Sequence, residues 1–190
     1  KTCSVDFDSM REDLSEANEG DIVLLHGCCH NPTGANLAFQ EWVEITNICL
    51  KKNIIPLIDI AYQGFGDGLE KDVIGLQSMA SRVPNMMIAV SCSKNFGVYR
   101  DRVGAAIVIA DDISSARLAE DNLKSLNRLT FSFPPDHGAA VVELILVDPK
   151  LKQKWRSELE EMRKGMLDLR QRLSKCLNQW TKSDRFDFIA

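Results

Sequence analysis

Three observations predict an α/β fold with a central, mostly parallel sheet covered by helices. Short apolar runs recur along the first 110 residues, stretches of helical length and period separate the first three of them, and glycine, serine, asparagine and proline gather directly after each run. Loops of that composition at strand ends are where open α/β sheets hold their ligands. A chain of 190 residues with 45% apolar residues is long enough to bury a substantial core.

In chain order, Asp21-Ile22-Val23-Leu24-Leu25-His26 reads as a buried strand, and Phe39 to Lys52 as a helix with Trp42, Val43, Ile45, Cys49 and Leu50 apolar. A second strand runs from Ile54 to Ile60. Pro56 withholds a ladder hydrogen bond, which places it near the strand's start or at a bulge. A weaker helix near 70 to 82 leads to the third strand, Met86 to Val90. Strands joined by helical crossovers imply βαβ units and a parallel sheet covered on both faces. Val103 to Ala110 makes a fourth strand, reached by a connection too short for a helical crossover, which allows it to run antiparallel.

The second half is helical. Residues 112 to 127 and 136 to 147 read as two short helices around Phe133-Pro134-Pro135-Asp136. From Asp148 to about Trp180 one long helix carries Trp155, Leu159, Met162, Met166, Leu169, Leu173, Cys176 and Trp180 at steps of four and three, a single apolar seam. A coiled coil would give the same seam, but Gly165 in its middle favours a helix spanning the body of a domain. The tail Phe186-Asp187-Phe188-Ile189-Ala190 alternates like the beginning of a strand.

Composition narrows the class of partner. The formal charge is −4 with both signs interspersed, so no basic stripe argues for nucleic acid. Six cysteines at positions 3, 28, 29, 49, 92 and 176 lack a regular framework, which points to free thiols in a reducing compartment, the cytoplasm. Neither a signal peptide nor a membrane span is evident. Small molecules and other proteins are the expected partners.

The chemistry collects after the predicted strands. "HGCCHNPTG" (26–34) follows the first, "DIAYQGFGDG" (59–68) the second and "SCSKN" (91–95) the third. These loops offer an amide, a carboxylate with a phenol, and a lysine with hydroxyls. Alone each is weak, because Asn-Pro-Thr-Gly is also turn chemistry and Asp59 could cap a helix. His26, Cys28, Cys29 and His30 lack the usual spacing of metal ligands, so no metal is expected. Cys92 is read as packing against the sheet, and Tyr99, Arg100 and His137 receive no chemical role.

Taken together, Asn31-Pro32-Thr33-Gly34, Asp59-x-Ala61-Tyr62, Ser91-x-Ser93-Lys94-Asn95, Arg102-x-Gly104 and Arg128-x-x-x-Ser132-x-Pro134-Pro135 form an ordered series. It resembles the fold-type I aminotransferases that use pyridoxal 5'-phosphate, most closely the aspartate and aromatic-amino-acid subgroup. The resemblance implies that Lys94 forms a Schiff base with the cofactor and then moves the proton, since a lysine amine condenses with an aldehyde and can act as an acid or base. It implies that Asp59 faces the pyridine nitrogen, that Tyr62 and Asn31 bond the ring's phenolic oxygen, and that Ser91, Ser93 and Arg102 hold the phosphate. Asn31 also lies beside the substrate in that resemblance, and His26 is expected behind Asp59 as a hydrogen-bonding partner. Arg128 matches an arginine that comes from the neighbouring subunit to pair with the distal carboxylate of a dicarboxylic substrate, with Ser132 close by; its bland reading is an exposed arginine at a helix C-terminus.

Members of that subgroup are longer. A preceding segment brings a Ser-Gly-Thr-like phosphate loop, an aromatic residue stacking on the ring and a tyrosine crossing the dimer, and a following domain brings the arginine for the substrate α-carboxylate. None of these is found in residues 1–190. The expected organisation is therefore a partial large cofactor-binding domain (1–147), a connecting helix (148–180) and the start of a truncated small domain (181–190), with little activity from the chain alone. The reaction implied is transfer of an amino group between aspartate or aromatic amino acids and 2-oxoglutarate, in a homodimer. A decarboxylase or β-lyase of the same fold and a non-catalytic module remain the alternatives, and Arg128 with Ser132 favours transamination.

Overall fold

The computed structural model describes residues 4–190, so Cys3 lies outside the described residues. Four strands, β1 (Ile22–His26), β2 (Ile55–Ile60), β3 (Met86–Ser91) and β4 (Gly104–Ile109), form one sheet in the order β1-β2-β3-β4. The first three are parallel, and β4 runs antiparallel to β3. This is the mixed α/β sheet expected, including the reversed fourth strand. Pro56 is the second residue of β2. Ile55 N–H points to β1, donating to Asp21 O at 2.9 Å, so the proline nitrogen faces β3, where pairing begins only at Leu57↔Met87. No ladder bond is forfeited there.

Three helices cover one face of the sheet: α1 (Phe7–Glu16), α2 (Phe39–Lys52) and α3 (Ile74–Ala80), the last preceded by a 3₁₀ turn at Lys71–Val73. Their apolar sides meet the alternate residues Leu25, Ile58, Ile60, Met86 and Ile88 in a single core with Leu14, Trp42, Ile45, Cys49, Leu76 and Met79. The crossing of α2 and α3 is close because residue 75 has no side chain; a Cβ there would lie 2.3 Å from Trp42 Cδ1. Helix α1, which the sequence reading does not anticipate, begins at Asp6, whose Oδ1 accepts from Ser9 N at 3.1 Å. Lys52 Nζ donates to Ser15 O and Ala17 O at 2.6 and 2.8 Å, tying the end of α1 to that of α2.

Two expectations need correction. Among the described residues the opposite face of the sheet is not covered: Ile22 and Leu24 are 57% and 60% exposed, and Asp59 and Ala89 beside them are open. The tail is not a strand. Asp187–Ile189 form a 3₁₀ turn held against the long helix by Ser174 Oγ donating to Phe186 O (2.9 Å) and Arg170 Nε donating to Ile189 O (2.8 Å). Alternation over five residues specifies a strand only when a partner edge is within reach.

After β4 come α4 (Ile113–Thr130), α5 (His137–Val147) and α6 (Pro149–Thr181). Asp148 caps α6 by accepting from Lys150 N and Leu151 N, and Pro149 occupies the first turn, where its missing N–H costs nothing. Of the apolar seam on α6, Leu159 is buried and Trp155 half-buried against the sheet domain, while Met162, Met166, Leu169, Leu173 and Trp180 are exposed. No helix among the described residues is long and apolar enough to cross a membrane.

Candidate functional site

The C-terminal ends of β1, β2 and β3 converge on a cavity of about 310 Å³ lined by His26, Cys28, Asn31, Asp59, Ala61, Tyr62 and Lys94. That volume lies at the lower end of small-molecule sites. Sheet register places the first members: His26 is the partner of Asp59, and Asp59 of Ala89. Asp59 therefore projects from the uncovered face, with only a methyl group beside it on β3.

Lys94 stands in the turn directly after β3, closed by Phe96 N donating to Cys92 O (3.2 Å) and Gly97 N to Lys94 O (3.1 Å). Its Nζ lies 4.8 Å from the centroid of the Tyr62 ring. Apart from that ring contact, Lys94 Nζ, the Asp59 carboxylate, the Tyr62 hydroxyl and the Asn31 amide side chain have no hydrogen bond or ion pair among the described residues. An amine, a carboxylate, a phenol and an amide thus face one cavity with their bonding capacity open.

His26 has a definite role in shaping the loop. Its Nδ1 accepts from Asn31 N at 3.2 Å, and its ring lies 4.5 Å from that of His30, whose Nδ1 is 2.8 Å from Thr33 Oγ1. The bond that His26 makes is to the Asn31 backbone, while its position beside Asp59 comes from register. The Asn31–Pro32 peptide is cis. Interaction with the adjacent Cys29 and burial hold the Cys28 thiol above the ordinary range, and the same interaction draws the Cys29 thiol below it.

Ser91, Ser93 and Arg102 lie together at the junction of β3 and β4, outside the cavity lining. Ser91 Oγ accepts from Ser93 N at 3.2 Å; Arg102, at φ +56°, donates from Nη1 to Tyr99 O at 2.9 Å. Arg128 and Ser132 are not brought to the cavity. Both are exposed at the end of α4, where the Arg128 guanidinium lies 5.6 Å from the Phe133 ring centroid and Ser132 adopts φ +63°.

Sequence reasoning misses the residues that brace these loops. Asp72, buried, accepts from Gly64 N, Gly66 N and Asp67 N at 2.7, 3.1 and 2.6 Å, tying down the loop after Tyr62. Three closely spaced N–H groups in a glycine-rich loop demand an acceptor, which was the available signal. Asn95 and Trp155 also brace the lysine turn, and their pairing across the chain has no local signature. An adjoining groove of about 780 Å³ between that turn and α6 shares Tyr62 and Lys94 and is lined by Phe65, Phe96, Trp155 and Met162.

The chain has relatives that match it over nearly its whole length. It is 52% identical over its whole length to an aromatic-amino-acid aminotransferase of Paracoccus denitrificans, covering 48% of that protein. It is 40% identical over 186 residues to an aspartate aminotransferase of Haemophilus influenzae, covering 98% of this chain and 47% of that protein. Among solved structures, the aromatic-amino-acid aminotransferase of Burkholderia pseudomallei covalently bound to pyridoxal phosphate superposes with a TM-score of 0.95 at 37% identity, over 99% of this chain and 47% of that one. The chain thus spans about half the length of the proteins it matches. The family profile for class I and II aminotransferases matches residues 1–189. With a lysine, a carboxylate, a phenol and an amide gathered at the C-terminal ends of three parallel strands, and a sequence matched over residues 1–189, the chain belongs to the class I and II aminotransferases.

Proposed function

We propose that the protein transfers amino groups between aspartate or aromatic amino acids and 2-oxoglutarate, using pyridoxal phosphate held at the cavity of β1, β2 and β3. The observation that carries this reading is Lys94 Nζ over the Tyr62 ring in a cavity shared with Asp59 and Asn31, all four polar side chains uncommitted. The donor set fits the cofactor: a primary amine for its aldehyde, an open carboxylate for a ring N–H, and a phenol and an amide for its ring oxygen. When bound, pyridoxal phosphate supplies a conjugated ring that accepts the electron pair released as a substrate Cα proton leaves.

The chain's residues divide the remaining work. Lys94 anchors the cofactor and then takes and returns the Cα proton at Nζ, the catalytic role. Asp59 holds the ring nitrogen protonated by placing a negative charge beside it. Tyr62 and Asn31 orient the ring through its oxygen, with Asn31 held by its backbone bond to His26. Ser91, Ser93 and Arg102 offer hydroxyls and a guanidinium at the β3–β4 end for the phosphate. Arg128 and Ser132, exposed and away from this chain's cavity, serve the cavity of a second subunit and recognise the distal carboxylate of a dicarboxylic substrate, which makes the working form a homodimer. We place it in the cytoplasm, a location that the free thiols of Cys28, Cys29, Cys49, Cys92 and Cys176 support.

The test is an absorbance spectrum after incubation with pyridoxal phosphate, followed by borohydride reduction and peptide mapping. A visible or near-ultraviolet band with the label on Lys94 is expected; a folded protein labelled only on surface lysines would sink the reading.

A further inference from the structure

The lysine turn is braced from the far half of the chain. Trp155, in the second turn of α6, donates from Nε1 to the backbone carbonyl of Asn95 at 2.7 Å, across 60 residues of sequence. Its indole stacks on Phe96 with centroids 4.4 Å apart and planes 9° from parallel. Asn95 is buried, and its Nδ2 donates onward to Gln63 O at 3.3 Å. Gln63 in turn donates from Nε2 to Leu69 O at 2.9 Å. Asn95 follows Lys94 and Gln63 follows Tyr62, so one connected set of contacts fixes both the backbone that carries the amine and the backbone that carries the phenol beneath it.

We infer that Trp155 is a positioning residue for Lys94: its indole N–H and its stack on Phe96 set where the Lys94 amine stands relative to Tyr62 and Asp59. The physical reason is the reach of the side chain. Four methylene groups leave the lysine amine free to wander unless the backbone at its root is fixed, and effective reaction of an amine depends on its approach to the target atom within ångströms. Hydrogen bonds within residues 92–97 close the turn, but they do not orient it against the Tyr62 loop. Contacts from Trp155 and Asn95 do. The Asn95 Oδ1 atom supports this ranking, because it is buried without a partner. The Asn95 side chain is held by its amide donor and by the packing around it, a cost accepted where the turn's placement matters.

This inference rests on the cofactor reading above, and the experiment separates the two. In the intact protein, the rate at which pyridoxal phosphate followed by borohydride labels Lys94 is compared between wild type and Trp155→Phe, with the labelling of surface lysines as internal control and kcat and KM measured alongside. Phenylalanine keeps a ring against Phe96 and deletes the N–H. Labelling of Lys94 is expected to slow about tenfold, with surface lysines unchanged and with kcat falling more than KM rises. Phe96→Leu, which removes the stack and keeps both the indole N–H and the Asn95 carbonyl that it binds, carries the same expectation and decides the matter if Trp155→Phe does not fold. Equal labelling rates in wild type and the folded variant overturn the positioning role alone. Absence of label on Lys94 in wild type overturns it together with the cofactor reading.

Discussion

At the scale of single residues, the site depends on groups that are open in the chain. Lys94→Ala removes the proposed anchor and proton carrier, so transaminase activity of the intact protein should fall about 10³-fold or more, and borohydride labelling at this position should vanish. The vicinal thiols offer a second check. Cys29 is drawn below the ordinary thiol range by its interaction with Cys28, whereas burial pushes Cys49 up to about 11 and Cys28 is held above the ordinary range. Alkylation near about pH 8 should therefore mark Cys29 well before Cys28 or Cys49, as read by mass mapping. Lys94, Asp59, Tyr62, Asn31 and His26 were legible in the sequence because each sits in a short motif at or just after the end of a strand, and sheet register brings strand ends together. Trp155, Asn95, Gln63 and Asp72 were not, because what defines them is a partner brought near by folding. A tryptophan on an apolar helical seam looks the same whether its N–H meets a carbonyl or water.

At the scale of elements, packing against the covered face sets stability. Ile45 is fully buried, so Ile45→Ala should cost about 2–5 kcal/mol in denaturant unfolding. Gly75→Ala puts a methyl group into the Trp42 ring and should destabilise by about 1–3 kcal/mol through overpacking at the α2–α3 crossing. Helix α4 starts at Asp112, whose carboxylate accepts from the side chain and backbone of Ser115 and is held below its usual range. A depressed folded-state value means that the unfolded chain binds the proton more readily. The cap's contribution is complete above the ordinary carboxylate value and is lost as pH falls through the folded one. Asp112→Asn caps without titrating, and it should show a smaller loss of stability between about pH 5 and pH 2 when followed by circular dichroism. The helix and strand succession from β1 to α6 was readable because period and length agree in each segment. Helix α1 and the 3₁₀ tail were missed because both depend on what they pack against: α1 buries only Leu14 fully, and the tail is held by bonds from α6.

At the scale of the whole molecule, Arg128 and Lys94 are proposed to serve one site from two chains. Mixing Lys94→Ala with Arg128→Ala protein should then restore activity toward aspartate to roughly a quarter of wild type, because each hybrid dimer regains one intact site. Recovery no greater than the sum of the separate variants would argue against shared sites. The sheet's coverage on two faces, expected from its parallel strands, is realised on one face among the described residues, since coverage depends on every segment that packs there and not on strand pattern alone. The geometry of α6 has a further consequence. Its contacts with the sheet domain run from Trp155 through Leu159 to Arg163, whose Nη1 donates to Gly66 O at 3.3 Å. Beyond Arg163 the helix continues to Thr181, about 27 Å at 1.5 Å per residue. A tilt of about 10° pivoting at those contacts sweeps the far end by about 5 Å. Trp155, about 12 Å to the other side of Arg163, moves by about 2 Å, less than half of that. The helix is a lever whose short arm rests on the lysine turn, so a force borne by its distal end arrives at that turn multiplied, and over a correspondingly shorter distance.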